Sequence, residues 1–320
     1  MALAIDTLNS VIKAKPITDG FVSQIYTQNP FLDFMRKGKS FISIKAHDIR
    51  ATLLYNQPNT FGAWSGSGTI SLPSDYEALT EAVFDWGFYV GKDKITFKQW
   101  QTQEKTEDAI LDFAQMRLIN LANSISMAME ANLFAEYDGS AHTVFGIPDI
   151  VSTTDPTNYA AGLGNIKVAD LPMWKAQTAT YSSTDSLAEQ MYSMLLDIKS
   201  AGGSPKIIIT GKASFMKYVK ENYNKSGYLV QDQIPMNLGF KSGASFQGIP
   251  LVMSEHVASG TMYFLDTDYL KLVVHPDANF KSTGWKQVAV NNLDLVNLTT
   301  LTYALICSKR NAQGVITGIS

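Results

Sequence analysis

The chain has 320 residues, and its 26 Lys plus Arg against 29 Asp plus Glu give a formal net charge of -3. Charged residues make up 17% and hydrophobic residues 45%, so the chain has ample material for a core, and intrinsic disorder is excluded. The balanced charge argues against an electrostatic nucleic-acid binder, the single Cys307 excludes an intrachain disulfide framework, and no apolar run reaches the roughly 18 to 20 residues that span a bilayer.

The first forty residues are polar and loosely patterned, and Pro16, Gly20 and Pro30 interrupt them. They predict an arm and not a core. Residues 1–10 lack the basic start and apolar stretch of a secretion signal, so synthesis without export is expected. The arm is locally basic through Lys13, Lys15, Arg36, Lys37 and Lys39.

Residues 51–91 contain no Lys, Arg or His, although they carry the acids Asp75, Glu77, Glu81 and Asp85. The centre, residues 59–68, reads NTFGAWSGSG, in which turn-forming residues surround Phe61 and Trp64. This pattern predicts a long projecting hairpin whose tip contacts another surface. The return limb, residues 84–99, predicts an edge strand that bends at Gly91.

A long helix is predicted next. Thr106 is its candidate N-cap, acids occupy the first turn, and apolar residues recur at helical spacing from Ile110 to Met129. The pattern persists to about Tyr137, which gives a rod of about 45 to 50 Å at 1.5 Å per residue. We call this element the spine helix.

A compact α/β unit is predicted after the spine helix. Ser186 and Glu189 form a capping box that opens one helix, and a second helix is predicted over residues 212–222. Strands are predicted over residues 206–210, 249–253, 262–265 and 270–274. Two later segments, residues 285–290 and 298–307, suit a sheet that packs on the spine helix.

The sequence shows no constellation of catalytic, cofactor-binding or metal-binding residues. No two histidines have the spacing that places both on one helical face; they are His47, His142, His256 and His275. The segment 210–212 joins a strand to a helix as a phosphate-binding loop would, but Lys206 and Ala213 replace the required glycine and hydroxyl. The sequence therefore predicts no enzyme, no metal and no cofactor.

In chain order the predicted elements are a loose arm, an acidic hairpin, the spine helix, an α/β unit and a return to sheet. Short sequences accompany this order: FDW at 84–86, ITF at 95–97, GL at 162–163, MW at 173–174, GF at 239–240, FQGIPLV at 246–252 and MYFLD at 262–266. Together they resemble the major capsid protein of tailed bacteriophages, the Hong Kong 97-type fold. The resemblance runs from about Asp33 to Ser320.

The resemblance implies an α+β fold of four parts. These are an N-terminal arm at 1–40, an extended β-hairpin loop and lead-in strand at 41–100, a peripheral domain at 101–140 with 276–320, and an α/β axial domain at 141–275. It also implies a structural subunit that self-assembles as hexamers and pentamers into an icosahedral head around double-stranded DNA. Assembly would take place in the cytoplasm of the host bacterium, with no membrane involved.

The resemblance also implies partners. Contacts between subunits are expected at Phe61, Trp64, Asp75, Glu77 and Glu81, and the basic arm residues are expected to face inward, toward the DNA. Because residues 51–91 lack lysine, the covalent cross-link of some relatives is not expected, and a decoration protein could strengthen the shell instead. A portal and, given the short arm, a separate scaffolding protein are expected.

Two alternatives stay open at this point. An encapsulin-like nanocompartment shares the fold but encloses an enzyme, and neighbouring genes for terminase, portal or tail proteins would separate the two. An enzyme such as a hydrolase is the other, and substitution of every histidine should then abolish some turnover.

Overall fold

The computed structural model describes residues 29–38, 40–55, 79–102, 107–140, 143–226, 244–289 and 292–319. The α-helices of these residues are α1 Pro30–Lys37, α2 Phe97–Thr102, α3 Glu107–Leu133, α4 Ile147–Ile150, α5 Leu187–Ser200 and α6 Lys212–Ser226. The strands are β1 Phe41–Ser43, β2 Ile49–Leu54, β3 Leu79–Phe84, β4 Gly87–Ile95, β5 Gln177–Thr180, β6 Ile207–Thr210, β7 Ala244–Phe246, β8 Ile249–Met253, β9 Met262–Leu265, β10 Leu270–Val274, β11 Lys281–Ser282, β12 Lys286–Ala289, β13 Asn292–Cys307 and β14 Gly314–Thr317. None of these helices is long and apolar enough to cross a bilayer.

One sheet is organised around β13, and we call it the long-strand sheet. Strand β4 pairs antiparallel with one side of β13, from Ile95 opposite Leu295 to Gly87 opposite Tyr303. On the other side β10, β11 and β12 pair with successive parts of β13, and β1 adds parallel to β10. Within the described residues β4 pairs with β13 alone, as predicted for an edge strand, but the return limb of the hairpin is β3 and not residues 84–99, so that part of the prediction is wrong.

The second sheet, which we call the α/β sheet, has the order β5-β14-β9-β6-β8-β7. Its central strand β6 is buried at every position, as expected for the apolar run IIIT between two neighbours. Helix α5 opens with the predicted capping box, because Ser186 Oγ accepts from Glu189 N at 3.3 Å and Glu189 Oε2 accepts from Ser186 N at 3.1 Å. Helix α6 extends to Ser226, four residues beyond the prediction.

One predicted strand lies in the other sheet, and one strand of the α/β sheet is not predicted. The sequence groups Leu270–Val274 with the α/β unit, but β10 pairs with β1 and β13 in the long-strand sheet. Strand β14, near the C-terminus, is not among the predicted strands, and it pairs with β5 and β9 in the α/β sheet. The prediction for β10 is wrong because a short apolar strand carries no local signal for which distant strand it will pair with. The sheets therefore do not divide at the predicted boundary between residues 275 and 276.

The spine helix, α3, packs across one face of the long-strand sheet. It spans 27 residues, or about 40 Å at 1.5 Å per residue, and ends at Leu133, four residues before the predicted end. A Cβ placed on Gly91 would lie 2.5 Å from Ile125 Cδ1, so this glycine lets the helix approach the strand. Strand β4 continues through Gly91 in unbroken register with β13, and the close packing of the helix accounts for the glycine. The predicted bend at Gly91 stays a prediction.

The first helix corrects the prediction of a loose arm. Phe31, Leu32 and Met35 of α1 are completely buried in the main core, although they belong to the segment predicted to lie outside it. Pro30 stands in the first turn, where its missing N–H costs nothing, and Asp33 lies on the buried side. Apolar side chains on one face of a short amphipathic helix are enough to bring it into the core.

Replacing Gly146 by alanine is expected to destabilise the protein by about 3 kcal/mol. A Cβ at this position would lie 1.8 Å from the backbone oxygen of Ala135, which cannot move without displacing the end of the spine helix. Urea denaturation measures the loss. The matched control is Gly248→Ala, at a positive φ of 79° with no atom within 4 Å of the added Cβ, where about 1 kcal/mol is expected. Equal losses in the two variants would contradict the packing argument.

Candidate assembly surfaces

The histidines and the cysteine provide no centre for chemistry in the part of the chain that the structure describes. No group of three His, Cys, Asp or Glu side chains there is placed to hold a metal ion. His47 Nδ1 lies 2.6 Å from Asp48 Oδ1 at the surface, and His275 packs edge-on against Trp86 with ring centroids 5.4 Å apart. Burial raises the pKa of the Cys307 thiol to about 12. His142 lies outside the described residues.

A two-stranded ribbon forms the stem of the predicted hairpin. Strands β2 and β3 pair antiparallel from Ile49 opposite Phe84 to Leu54 opposite Leu79. The inner end packs on the core, where Ile49 and Phe84 are buried, whereas Leu54 and Leu79 at the outer end are each 66% exposed. The chain beyond this pair carries Phe61, Trp64, Asp75 and Glu77, which lie outside the described residues and remain predicted contacts.

Glu81 is the one predicted contact residue on the described part of the ribbon. Its carboxylate lies 3.3 Å from Arg50 Nη1 across the two strands, and both side chains are more than half exposed. An exposed ion pair of this kind contributes at most about 1 kcal/mol. Glu81 therefore lies on an open surface, and its contact with another subunit stays a prediction.

The outer face of the long-strand sheet carries exposed apolar and cationic side chains together. Residues directly opposite each other in paired strands project from the same face, as do alternate residues along one strand. Val90, Thr300 and Lys281 form one such row, and Lys94, Val296 and Lys286 another. The spine helix covers the opposite face, toward which a Cβ added at Gly91 would point. We define the lysine face as Phe88, Val90, Leu298, Lys92, Lys94, Lys281 and Lys286.

The centre of the lysine face is apolar and its margin is positive. Phe88, Val90 and Leu298 are 58%, 48% and 37% exposed. Lys94 forms an ion pair of 2.7 Å with Asp294 on the same face, and this bond holds the pKa of Asp294 below its usual range. Four ammonium groups therefore accompany this one carboxylate. Sequence reasoning missed the surface, because only strand pairing brings Lys281 and Lys286 onto the same face as the β4 side chains, across β13 from that strand.

An open cleft of about 550 Å³ continues the lysine face at the Phe88 end. Trp86 and His275 form part of its wall, and Trp86 is held in place because its Nε1 donates to Ala46 O at 3.0 Å. Asp277 at the rim pairs with Lys45 Nζ at 2.6 Å. The lining also includes Asp48 and Asp85, so this end of the face carries acidic side chains beside its apolar wall.

Chains of solved capsids share the fold of this protein over most of their length. A chain of the cyanophage A-1(L) capsid matches with a TM-score of 0.66 at 16% identity, covering 88% of this chain and 90% of that one. A chain of the satellite phage P4 procapsid matches with a TM-score of 0.52 at 12% identity, covering 96% and 92%. The chain has the Hong Kong 97-type capsid fold. The predicted α+β fold is thereby confirmed.

The capsid fold is also shared with an encapsulin. The SrpI encapsulin from Synechococcus elongatus PCC 7942 matches with a TM-score of 0.54 at 12% identity, covering 87% of this chain and 84% of that one. The sequence matches no protein-family model and no curated protein. At these identities the likeness establishes the fold, and the two kinds of shell are not separated by it.

The basic arm residues are only partly within the described capsid fold. Arg36 and Lys37 are exposed in the last turn of α1, and Lys37 Nζ lies 2.6 Å from Asp33 Oδ2. Lys13, Lys15 and Lys39 lie outside the described residues. Whether the group faces the interior of a shell stays a prediction.

One buried arginine joins distant parts of the capsid fold, and sequence reasoning missed it. Arg310 is completely buried, and its guanidinium donates to five backbone carbonyls at 2.9 to 3.2 Å; they belong to Asp149, Ile150, Ser152, Thr154 and Trp174. Burial lowers the pKa of Arg310. Nothing in the sequence around position 310 signals this role, since all five acceptors are backbone atoms more than 130 residues away.

Proposed function

We propose that this protein is the major capsid protein of a tailed bacteriophage. In this proposal it is a structural subunit without catalytic activity that assembles as hexamers and pentamers into an icosahedral head around double-stranded DNA. The observation that carries the proposal is the capsid fold, shared with phage shell chains over nearly the whole length. The ribbon supports it, because the apolar side chains of Leu54 and Leu79 are exposed at its outer end, where contact with another subunit would bury them.

The ribbon is the first element for which assembly supplies a physical reason. A two-stranded ribbon is marginal in water, and the exposed pair Leu54 and Leu79 gains burial only by contact with another molecule. Beyond it, Phe61 and Trp64 are anchors of the aromatic type that dominates binding energy at interfaces. A neighbouring subunit supplies the surface on which the ribbon rests.

The lysine face is the surface that we propose receives the ribbon tip of another copy. Residues 56–78 include the acids Asp75 and Glu77 and no cation, so their charge is opposite to that of Lys281 and Lys286. Phe88, Val90 and Leu298 offer apolar area to Phe61 and Trp64. Two different patches meet in such a contact, and head-to-tail contacts of this kind close into rings when the rotation allows.

The remaining partners follow from the same proposal. The basic residues of the arm would contact packaged DNA without sequence preference, and sparse contacts suffice because counterions neutralise most of the phosphate charge. Because residues 51–91 have no lysine for a covalent bond, the shell would depend on noncovalent contacts and on any decoration protein. The subunit would reside in the virion capsid, with a portal and a separate scaffolding protein needed during its assembly.

Electron microscopy of the recombinant protein tests the proposal. Closed shells of regular size are expected from the unmodified chain, and Phe61→Ser combined with Trp64→Ser should reduce their yield at least ten-fold. The matched control, Phe61→Tyr with Trp64→Phe, keeps the rings and should assemble. A protein that stays monomeric under all assembly conditions, and is missing from the shells of virions, would overturn the proposal.

An encapsulin-like nanocompartment is the second candidate, favoured by the match to the SrpI encapsulin. The contents of purified particles separate the two candidates, since a phage head holds DNA and a nanocompartment holds an enzyme. Neighbouring genes give the same distinction. Terminase, portal or tail genes support the phage head, and a gene for a cargo enzyme supports the nanocompartment.

A further inference from the structure

A buried polar cluster lies where α1, the spine helix and the end of β8 meet. Asn29 Nδ2, at the start of α1, donates to Ser126 Oγ of the spine helix, and Ser254 Oγ, just after β8, donates to Glu130 Oε1 at 2.9 Å. All four side chains are buried, and Glu130 is 1% exposed. The second carboxyl oxygen of Glu130, Oε2, has no hydrogen-bond partner among the residues that the structure describes.

Aromatic rings close the same junction against water. Phe31 of α1 packs on Phe134 with ring centroids 5.5 Å apart, and Phe134 packs on Tyr263 of β9 at 6.3 Å. The arm helix, the end of the spine helix and the α/β sheet are therefore held together around Glu130. Water can reach this carboxyl only if at least one of these elements moves away.

The surroundings of Glu130 contain no cation that neutralises it within the described residues. On α1, Asp33 forms an ion pair with Lys37. After β8, Glu255 and His256 follow Ser254 in a partly exposed turn. Beyond the end of the spine helix, Glu136 is exposed. Burial raises the pKa of the Tyr263 phenol to about 12, so this group stays neutral. Burial also raises the pKa of Glu130 to about 7, and the bond from Ser254 opposes the rise.

We propose that Glu130 is a protonation-dependent latch that holds α1 and the α/β sheet against the spine helix while it carries a proton. Protonated, the carboxyl is neutral and tolerates its apolar surroundings. Ionised, it is a buried charge without a cation, which is costly until the junction opens and water hydrates it. The latch acts within one subunit and changes its shape with pH, so it does not depend on the proposed function.

The direction of the pH effect follows from the raised pKa. An acid whose pKa is about 7 in the closed state and 4.5 when hydrated favours the closed state fully below pH 4.5. As the pH rises above 4.5, the equilibrium constant for closing falls by up to ten-fold per pH unit, by about 300-fold in total, and it is constant above pH 7. The junction should therefore be tightest in mildly acidic solution and loosest in mildly alkaline solution.

Hydrogen exchange on the full chain between pH 5.5 and 8.5 tests the latch, after correction for intrinsic exchange rates. In the unmodified protein, protection of residues 30–37 and 249–256 should fall by about 30-fold between pH 5.5 and 8.5, with the open population reaching half of its high-pH value near pH 7. In Glu130→Gln, which is neutral and of the same size, protection should keep its low-pH value throughout. Glu136→Gln, on the exposed turn that follows, is the matched control and should behave as the unmodified protein.

A second variant keeps the proposal testable if Glu130→Gln folds poorly. Ser254→Ala removes the bond that opposes the raised pKa, so the midpoint should move to higher pH. Protection of α5, which is remote from the cluster, should be independent of pH in every variant. Unchanged pH dependence in Glu130→Gln, or a midpoint near pH 4.5 in the unmodified protein, would overturn the latch while leaving the shell proposal intact.

Discussion

Replacing Arg310 by methionine is expected to cost about 4 kcal/mol or more of the free energy of unfolding, a large share of the roughly 5 to 15 kcal/mol that stabilises a typical protein. The substitution removes all five donors from a fully buried site and leaves the carbonyls of Asp149, Ile150, Ser152, Thr154 and Trp174 without them. Each buried acceptor left without its donor lowers the stability of the folded protein by about 1 to 3 kcal/mol. Urea denaturation followed by tryptophan fluorescence measures the loss, with Trp174 beside the site.

Two further variants separate the role of the guanidinium from that of its charge. Arg310→Lys keeps the charge, but one ammonium cannot reach five acceptors arranged around a planar fork, so a loss of about 2 kcal/mol is expected. Arg50→Met, at an exposed arginine paired with Glu81, is the control and should change stability by less than about 1 kcal/mol. A loss below about 1 kcal/mol in Arg310→Met would contradict the proposed structural role.

Reversing two charges on the lysine face, by Lys281→Glu with Lys286→Glu, should reduce the yield of shells at least ten-fold. Both side chains are exposed, so folding should be preserved, since surface substitutions usually change stability by less than about 0.5 kcal/mol. The loss arises because the new carboxylates would face Asp75 and Glu77 of the neighbouring copy, and like charges across an interface cost several kcal/mol. Sedimentation and electron microscopy measure the yield.

Restoring the opposite charges tests the pairing itself. Adding Asp75→Lys and Glu77→Lys to the Lys281→Glu with Lys286→Glu variant should recover assembly. The control Lys281→Arg with Lys286→Arg keeps the positive charges and should assemble with no further substitution. Reversed variants that assemble normally would contradict the lysine face as the receiving surface. Shells that form normally but hold less DNA would assign these lysines to nucleic acid.

A disulfide provides an independent measure of the same contact. A chain that carries both Trp64→Cys and Val90→Cys should give covalent oligomers on mild oxidation, visible as a series of bands on a non-reducing gel. Neither single variant should give this series. Cys307 should not interfere, because it is fully buried and its thiol pKa is raised to about 12, so little thiolate is present to react. Equal cross-linking in either single variant would count against contact between the tip and the face.

Local signals predicted most of the individual elements correctly. The capping box at Ser186 and Glu189, the apolar run of β6 and the bounds of β8, β9 and β10 each depend on a few neighbouring residues, and all are confirmed. The acid-rich stretch without cations correctly indicated a hairpin, whose stem is the β2 and β3 ribbon. The order of these elements was sufficient for the resemblance to the capsid fold.

The errors concern long-range pairing. The apolar pattern of β10 suits either sheet, and its place beside β13 depends on residues that follow it by about 30 positions. The burial of α1 depends on a pocket that the spine helix and β9 create, as the contacts of Phe31 and Phe134 show. Propensity and spacing indicate which secondary structure a segment can form. They do not indicate the distant strand or helix against which it packs.

The sequence by itself determined many of the elements, the absence of any cation from residues 51–91 and a charged fraction of only 17%, where about 25% is usual. Only the tertiary structure decided where Arg310 finds its five acceptors, that Glu130 is buried with no cation beside it among the described residues, and that lysines from three strands share one face. The physical reason is the same in each case. Burial, desolvation and surface charge belong to groups that are distant in the chain, and folding alone brings those groups together.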